Sequence, residues 1–453
     1  MKQKRFIIGM ILAALMLLCA GCDLGDRDSL FALPELSGEY AFLQQELNKV
    51  LAGGATYTVA ATGSVRSSVQ MADLNGDGRD EAIGLFLSAE GVPEVHVFRL
   101  EKESCHWLGK LVGVGTSVRE IRYFHRDDHG GQALAVSWNY ESDARYHGMT
   151  VAGMGDGELF TMLDLQYSAC LPQDLDGDRV EELTFVCPGR GTEAYSACVY
   201  RLIGDRYQLV AQDGLGTEVQ SVLQMQYAKV IRDRVTLVVE SGARNGGYVT
   251  DVLDFDGETM KNLTRDAVTG SGNTYWRQVA VPAYDINGDG LLELPMAQSG
   301  DAMGEAGNRL IWSTLREDGT GVPQQLMYHH SADGWALQWP ENWPSDVNSS
   351  IRVEHKQENN VTTTSFYMWL VDHKEDTEVL KKWVMLTVWS FRGEDRERTR
   401  NQQLQVKHLN ESGEVLYGYT LPEEQLSDEY YLTEQQVEKL FLQVKDSLEG
   451  DRS

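Results

Sequence analysis

Asp73-Leu74-Asn75-Gly76-Asp77-Gly78-Arg79-Asp80-Glu81 carries side-chain oxygens at alternate positions of a stretch whose two glycines make it a tight loop. That alternation suits a hard cation. Calcium takes roughly six to eight oxygen ligands at about 2.3–2.6 Å, and it accepts carboxylate, amide and backbone carbonyl oxygens alike. Here Asp73, Asn75, Asp77 and Glu81 supply side chains, and Arg79 supplies its carbonyl.

The register returns as Asp285-Ile286-Asn287-Gly288-Asp289-Gly290-Leu291-Leu292-Glu293, with Asp285, Asn287, Asp289 and Glu293 as side-chain ligands and Leu291 as the carbonyl. It returns less perfectly as Asp174-Leu175-Asp176-Gly177-Asp178-Arg179-Val180-Glu181-Glu182, where Asp174, Asp176, Asp178 and Glu182 are the candidates. In that copy Arg179 stands where a glycine would adopt positive φ cheaply. A single acidic loop is usually a solvated turn, but three in one register are not. An EF-hand is excluded, because it needs a glutamate at the twelfth loop position and helices on both sides. The twelfth positions here are Gly84, Phe185 and Met296, and each loop runs into a short apolar strand-like segment such as Ala82 to Phe86.

Loops of this kind joining strands resemble the FG-GAP or VCBS repeats, the calcium-bearing β-propeller blades of integrin α-subunits and many bacterial surface proteins. The resemblance spans roughly residues 55–340. It implies a mainly β chain, a β-propeller of about five or more four-stranded blades, with Ca2+ as the bound ion. It also implies a protein or glycan partner meeting the face opposite the metal, at loops such as Ser88 to Pro93, Pro188 to Glu193 and Ser241 to Gly247, with Arg190 and Arg244 as contacts.

Spacing supports the repeat. The loops start at residues 73, 174 and 285, intervals that each hold two blades of about 40–50 residues. The intervening copies, around His125 to Gly131 and Tyr227 to Asp233, have lost the ligands. Val97-Phe98-Arg99-Leu100 and Val199-Tyr200-Arg201-Leu202 follow their loops at nearly the same distance. Five blades are expected near 58–115, 116–165, 166–215, 216–268 and 272–338.

The ends differ. Lys2, Lys4 and Arg5 precede 13 residues of mostly apolar character, Phe6 to Leu18, and then Cys19-Ala20-Gly21-Cys22. That run is short of the roughly 20 residues of a membrane span. It resembles a lipoprotein signal, which makes 1–21 a removable leader and Cys22 the lipidated residue. Residues 22–54 then form a tether and a helix, with Tyr40, Leu43, Leu47, Val50 and Leu51 on its apolar face and Gly53-Gly54 as its stop. Beyond the propeller (55–340), residues 345–450 read as a small α+β C-terminal domain. Strands are expected at Ile351 to His355, Ser365 to Val371, Trp383 to Phe391, Leu404 to Lys407 and Val415 to Thr420. A final helix opens on a Thr433–Gln436 capping box, with Val437, Leu440, Phe441, Val444 and Leu448 as its stripe.

The 453 residues carry a formal charge of −28, which argues against nucleic acid and against electrostatic binding to anionic lipid. The membrane contact expected is therefore the N-terminal lipid alone. For Cys187 and Cys198, a hairpin disulfide and buried free thiols both fit the spacing. Six of the ten tryptophans lie between Trp335 and Trp389, which points to burial where the C-terminal part meets the repeats. His125 and His129 are four apart in a loop, without the helix that a zinc pair needs. No nucleophile elbow or phosphate-binding loop is present. The expectation is an extracytoplasmic, lipid-anchored, calcium-stabilised binding or scaffolding module. The alternative is an enzyme on an envelope or extracellular polymer, using the propeller channel.

Overall fold

The computed structural model describes residues 38–126, 131–140, 145–189, 194–298, 308–345, 351–374, 377–423 and 429–444. The expected leader, Cys22, the tether, His129 and Arg190 lie outside them.

Helix α1 (Gly38–Ala52) seats Leu43 and Leu47 in a core with Phe86, Phe98 and Leu100. Tyr40, expected on that face, is exposed. The first sheet contains β1 (Thr56–Tyr57), β2 (Val69–Ala72), β3 (Glu81–Leu87), β4 (Pro93–Glu101) and β5 (Ser104–Val112). A second holds β6 (Ser117–His125), β7 (Gln132–Asn139), β8 (His147–Gly155) and β9 (Glu158–Tyr167). The third is β10 (Ala169–Gln173), β11 (Glu182–Cys187), β12 (Ser196–Ile203) and β13 (Arg206–Gly214). A fourth follows with β14 (Val219–Ile231), β15 (Arg234–Ala243), β16 (Tyr248–Phe255), β17 (Met260–Asn262) and β18 (Trp276–Arg277). β19 (Leu294–Ala297), β20 (Arg309–Leu315), β21 (Gly321–His330) and β22 (Trp335–Gln338) build the fifth. All pairings are antiparallel, and the five sheets follow the five expected repeats except that β18, inside the expected 272–338, pairs with β16 of the fourth sheet.

The second strands of these sheets, and the third strands of the first, second and fourth, are buried on both faces along most of their length. β3, β7 and β11 are near-continuous apolar runs, whereas the outer β5, β9 and β13 alternate. Two-faced burial requires a neighbour on each side. Consecutive sheets supply it through shared cores: Ile83 with Leu134, Phe124 with Phe185, Val199 with Leu237, and Val238 with Leu294. The third and fourth strands of the first three sheets carry a bulge at one recurring place, at Val97/Phe98, Val151/Ala152 and Val199/Tyr200, while in the fifth sheet a bulge falls between the second and third strands, at Trp312/Ser313. Such bulges sharpen the local twist.

A sixth sheet follows, formed by β23 (Ile351–Glu358), β24 (Val361–Lys374), β25 (Thr377–Arg392), β26 (Lys407–Ser412) and β27 (Val415–Thr420), with α2 (Arg396–Gln402) between β25 and β26. The expected strand at Leu404 starts three residues later, and Leu404 itself is 97% exposed. Thr433 makes its capping box with Gln436, yet α3 (Glu434–Leu440) is short. Phe441 turns extended, and β28 (Phe441–Gln443) pairs with Trp335 to Leu337 at the edge of the fifth sheet. An open edge with unpaired backbone groups outweighed the helical stripe there. Trp335, Trp339, Trp343 and Trp383 share one core between the fifth and sixth sheets. Trp369 departs from that expectation at 49% exposure, since strand alternation puts it opposite buried Met368.

Cys105, Cys170, Cys187 and Cys198 are free thiols. Cys187 faces Ser196 and Cys198 faces Phe185 across the ladder. The two cysteines are therefore diagonal neighbours, and their thiols hydrogen-bond each other. Among the described residues no helix is long and apolar enough to cross a membrane.

Candidate metal centre

Two of the acidic loops connect first and second strands, 73–80 between β2 and β3 and 174–181 between β10 and β11. The third, 285–293, is closed by the bridge Tyr284↔Glu293 and leads into β19. All three have the same backbone. φ is +77° at Gly76, +84° at Gly177 and +78° at Gly288, then +82° at Gly78, +73° at Arg179 and +84° at Gly290. Arg179 therefore adopts the left-handed conformation that its position demands, at a cost of roughly 1–2 kcal/mol for a residue with a Cβ.

The same five amides point at the same four side chains. Asp73 accepts from Gly76 at 2.7 Å and Gly78 at 2.8 Å, Asp174 from Gly177 at 2.6 Å and Arg179 at 3.0 Å, and Asp285 from Gly288 at 2.7 Å and Gly290 at 2.8 Å. Asn75, Asp176 and Asn287 accept from Asp77, Asp178 and Asp289, which in turn accept from Arg79, Val180 and Leu291. The terminal Glu81, Glu182 and Glu293 are 1, 2 and 0% exposed. Each accepts the amide of the second loop residue, Leu74 at 3.0 Å, Leu175 at 2.8 Å and Ile286 at 2.9 Å.

What neutralises these buried glutamates differs. Arg201 donates Nε to Glu182 at 2.9 Å, and its other arm lies 3.3 Å from Asp176. Arg99 stands 3.5 Å from Glu81. Leu294 faces Ser313, and among the described residues no cation contacts Glu293. Burial pushes the Glu293 carboxyl above its usual range; the Ile286 amide opposes that, while Asp289 and Asp285 add to it. Glu81 is raised by burial against the pull of Leu74 and Arg99. Asp285 is held low despite its own burial, because four amides point at it. In the first and third loops an asparagine amide fills the gap, Asn75 Nδ2 at 2.7 Å from Glu81 and Asn287 Nδ2 at 3.1 Å from Glu293. The second loop instead brings oxygens of Asp174, Asp176 and Glu182 within 4.8 Å of one another. Hard anionic oxygens around a buried, incompletely neutralised glutamate fit a calcium ion.

Each loop also touches the neighbouring sheet. Gln132 of β7 donates to the Asp73 carbonyl, His125 of β6 to Glu181, and Leu292 donates to the Lys229 carbonyl of β14. The first, third and fifth sheets thus carry loops that clamp the second and fourth. In the fourth, the corresponding connection is Arg232-Asp233, too short to hold ligands. The segment entering the third loop is pinned by a buried pair. Arg277 meets Glu240 at 2.7 Å with both side chains fully buried, and Glu240 also accepts from the Ala283 amide.

Of the expected contact loops, Ser88 to Pro93 and 244–247 join second to third strands, at the opposite end of those strands from the acidic loops. Ser241 is buried within β15, and Arg244 is tied to the Val219 carbonyl at 3.2 Å. Sequence reasoning missed Arg99 and Arg201 as partners, although both sit in the repeated Val-aromatic-Arg-Leu segments.

Serial four-stranded antiparallel meanders bearing acidic loops define the class of the chain. No protein-family model matches the sequence, and no curated protein aligns with it. Solved structures that align include a protein assigned as a 6-phosphogluconolactonase from Bacteroides uniformis, at 11% identity over 72% of this chain and 94% of that one, with a TM-score of 0.26. Sqt1 from Saccharomyces cerevisiae aligns at 9% identity, 76% and 93% coverage and a TM-score of 0.26. An exo-β-1,3-galactanase from Phanerochaete chrysosporium aligns at 9%, 75% and 81%, with a TM-score of 0.25. Scores this low carry no argument about function.

Proposed function

We propose that the chain is an extracytoplasmic binding or scaffolding module whose five sheets are propeller blades of the FG-GAP or VCBS type, rigidified by calcium and tethered through a lipid on Cys22. The observation that carries the reading is the threefold recurrence of one loop geometry around a buried glutamate, each copy bonded to an adjacent sheet. Filling such loops neutralises the carboxylates and locks neighbouring sheets together. Calcium acts here through rigidity, while a partner meets loops at the other end of the strands, such as 88–92.

Calcium that binds only the folded chain stabilises it by about 2.7 kcal/mol per site at a hundredfold excess over the dissociation constant. A chelator should lower the melting temperature, calcium should restore it, and magnesium should restore it poorly because it demands a smaller octahedral shell. A melting curve indifferent to both chelator and calcium would sink the proposal. The anchor is tested separately: Cys22→Ala should release the protein from the membrane fraction, and unchanged retention would remove that part.

A further inference from the structure

The chain is strongly acidic, yet one cavity is not. A space of about 1030 Å3 is walled by the first strands of three consecutive sheets, β6, β10 and β14, with β7 and β8 behind β6. It is lined by three arginines, Arg119, Arg122 and Arg145, and by one carboxylate, Glu120. Glu120 is occupied by Arg122, at 2.9 Å. Arg145 lies over the Tyr146 ring at 5.3 Å. The Arg119 guanidinium is half-buried and makes no ion pair or hydrogen bond among the described residues. A guanidinium so placed is a planar fork of donors without an acceptor.

Beside it, His147 is 8% exposed, and its Nδ1 is buried without a hydrogen-bond partner. Burial, with the Arg119 charge added, pushes the imidazole down to about 4, so it is neutral at physiological pH and adds no charge of its own. Buried polar nitrogens are ordinarily paired, so this one is left for something in the cavity to bond. The remaining polar lining is neutral, with Ser221, Gln220 and Gln224 projecting from β14. Hydroxyls and amides of this kind pair with a polyol, and the volume is at the upper end of small-molecule sites, with room for more than one sugar ring.

We infer that this cavity binds an acidic saccharide, with its oxyanion on Arg119 and its hydroxyls on His147 and the β14 amides. The inference deepens the reading of the chain as a binding module, but it does not need the acidic loops to be filled. A carboxylate on a uronic acid and a phosphate on a sugar share the chemistry that Arg119 would recognise.

The test is isothermal titration of the full chain with digalacturonate, with glucose 6-phosphate and with neutral galactobiose, in calcium and again in chelator. One acidic probe should bind, with an affinity that falls as salt rises, and the neutral sugar should not. Preference between the two acids identifies the source of the oxyanion. Arg119→Ala should weaken that probe at least tenfold with the melting curve unchanged, and Arg119→Gln, which keeps most of the stem, serves if the alanine variant does not fold. Binding of neither acid, equal binding of galactobiose, or unaltered affinity in the Arg119 variants overturns the inference. Loss of the calcium effect on melting with intact titration would instead count against the metal loops alone.

Discussion

Replacing Arg201 by glutamine should tighten calcium binding at the second loop. The guanidinium contacts two of that loop's carboxylates, Glu182 at 2.9 Å and Asp176 at 3.3 Å, and its side chain is 28% exposed. Metal–oxygen distances are about 2.4 Å, so a charge touching the ligand oxygens lies within roughly 5 Å of a bound divalent ion. Even at the dielectric constant of water, one positive charge opposes a divalent ion at that distance by about 1.7 kcal/mol, roughly 15-fold in affinity. The first loop, with Arg99 at 3.5 Å from Glu81 only, should bind more tightly than the second, and the third most tightly. Without metal the same substitution leaves buried Glu182 without its cation and should cost about 1–3 kcal/mol. Calorimetric titration of the chelator-stripped chain, paired with melting curves, reads both effects. The Arg201→Gln protein should show its weakest calcium site strengthened by about tenfold or more, and the gain should vanish when Asp178→Asn is added. Unchanged or weaker calcium binding in Arg201→Gln would refute the argument that this arginine substitutes for the ion.

Two further outcomes follow from buried groups in the fourth sheet. Asp251 is fully buried, accepts from Gly216 and Asn262 on one oxygen and has no partner on the other; burial, opposed by those bonds, pushes its carboxyl from 3.8 up to about 6. The folded state then holds a proton that the unfolded chain has released, so unfolding free energy should fall by roughly 3 kcal/mol as pH rises through that window. Urea titrations should show this slope in the native chain and not in Asp251→Asn; an equal slope in both would contradict it. Glu240→Gln should cost about 3–5 kcal/mol by leaving Arg277 buried without a counter-charge, whereas the double change with Arg277→Met should recover much of it. A single and a double variant of equal stability would show that the pair is not coupled.

The acidic loops were legible because their turns are local: nine consecutive residues specify the backbone, the carboxylates that accept its amides and even the strained position at Arg179. The five sheets followed from the spacing of those loops and from the intervening turns. What was not local was not legible. The end of α3 depended on the free edge of β22, which no residue near Phe441 announces. Trp369 and Trp383 both sit in strand-like runs, and only the register decided which of them faces the core. Arg119, Cys170 and Gln224 line one cavity because three separate sheets bring their first strands together, and nothing in their sequence neighbourhoods marks them as partners. Arg99 and Arg201 were an intermediate case: the repeat that holds them is visible, but not that the arginine reaches back some twenty residues to its glutamate.

Equilibrium dialysis of the chelator-stripped chain against labelled calcium tests the central claim most directly. The account predicts saturable binding of two ions per chain at the first and third loops and a weaker third, with one ion lost on Asp73→Asn combined with Asp77→Asn and another on Asp285→Asn combined with Asp289→Asn. Absence of saturable calcium binding, or stoichiometry untouched by these substitutions, would contradict it.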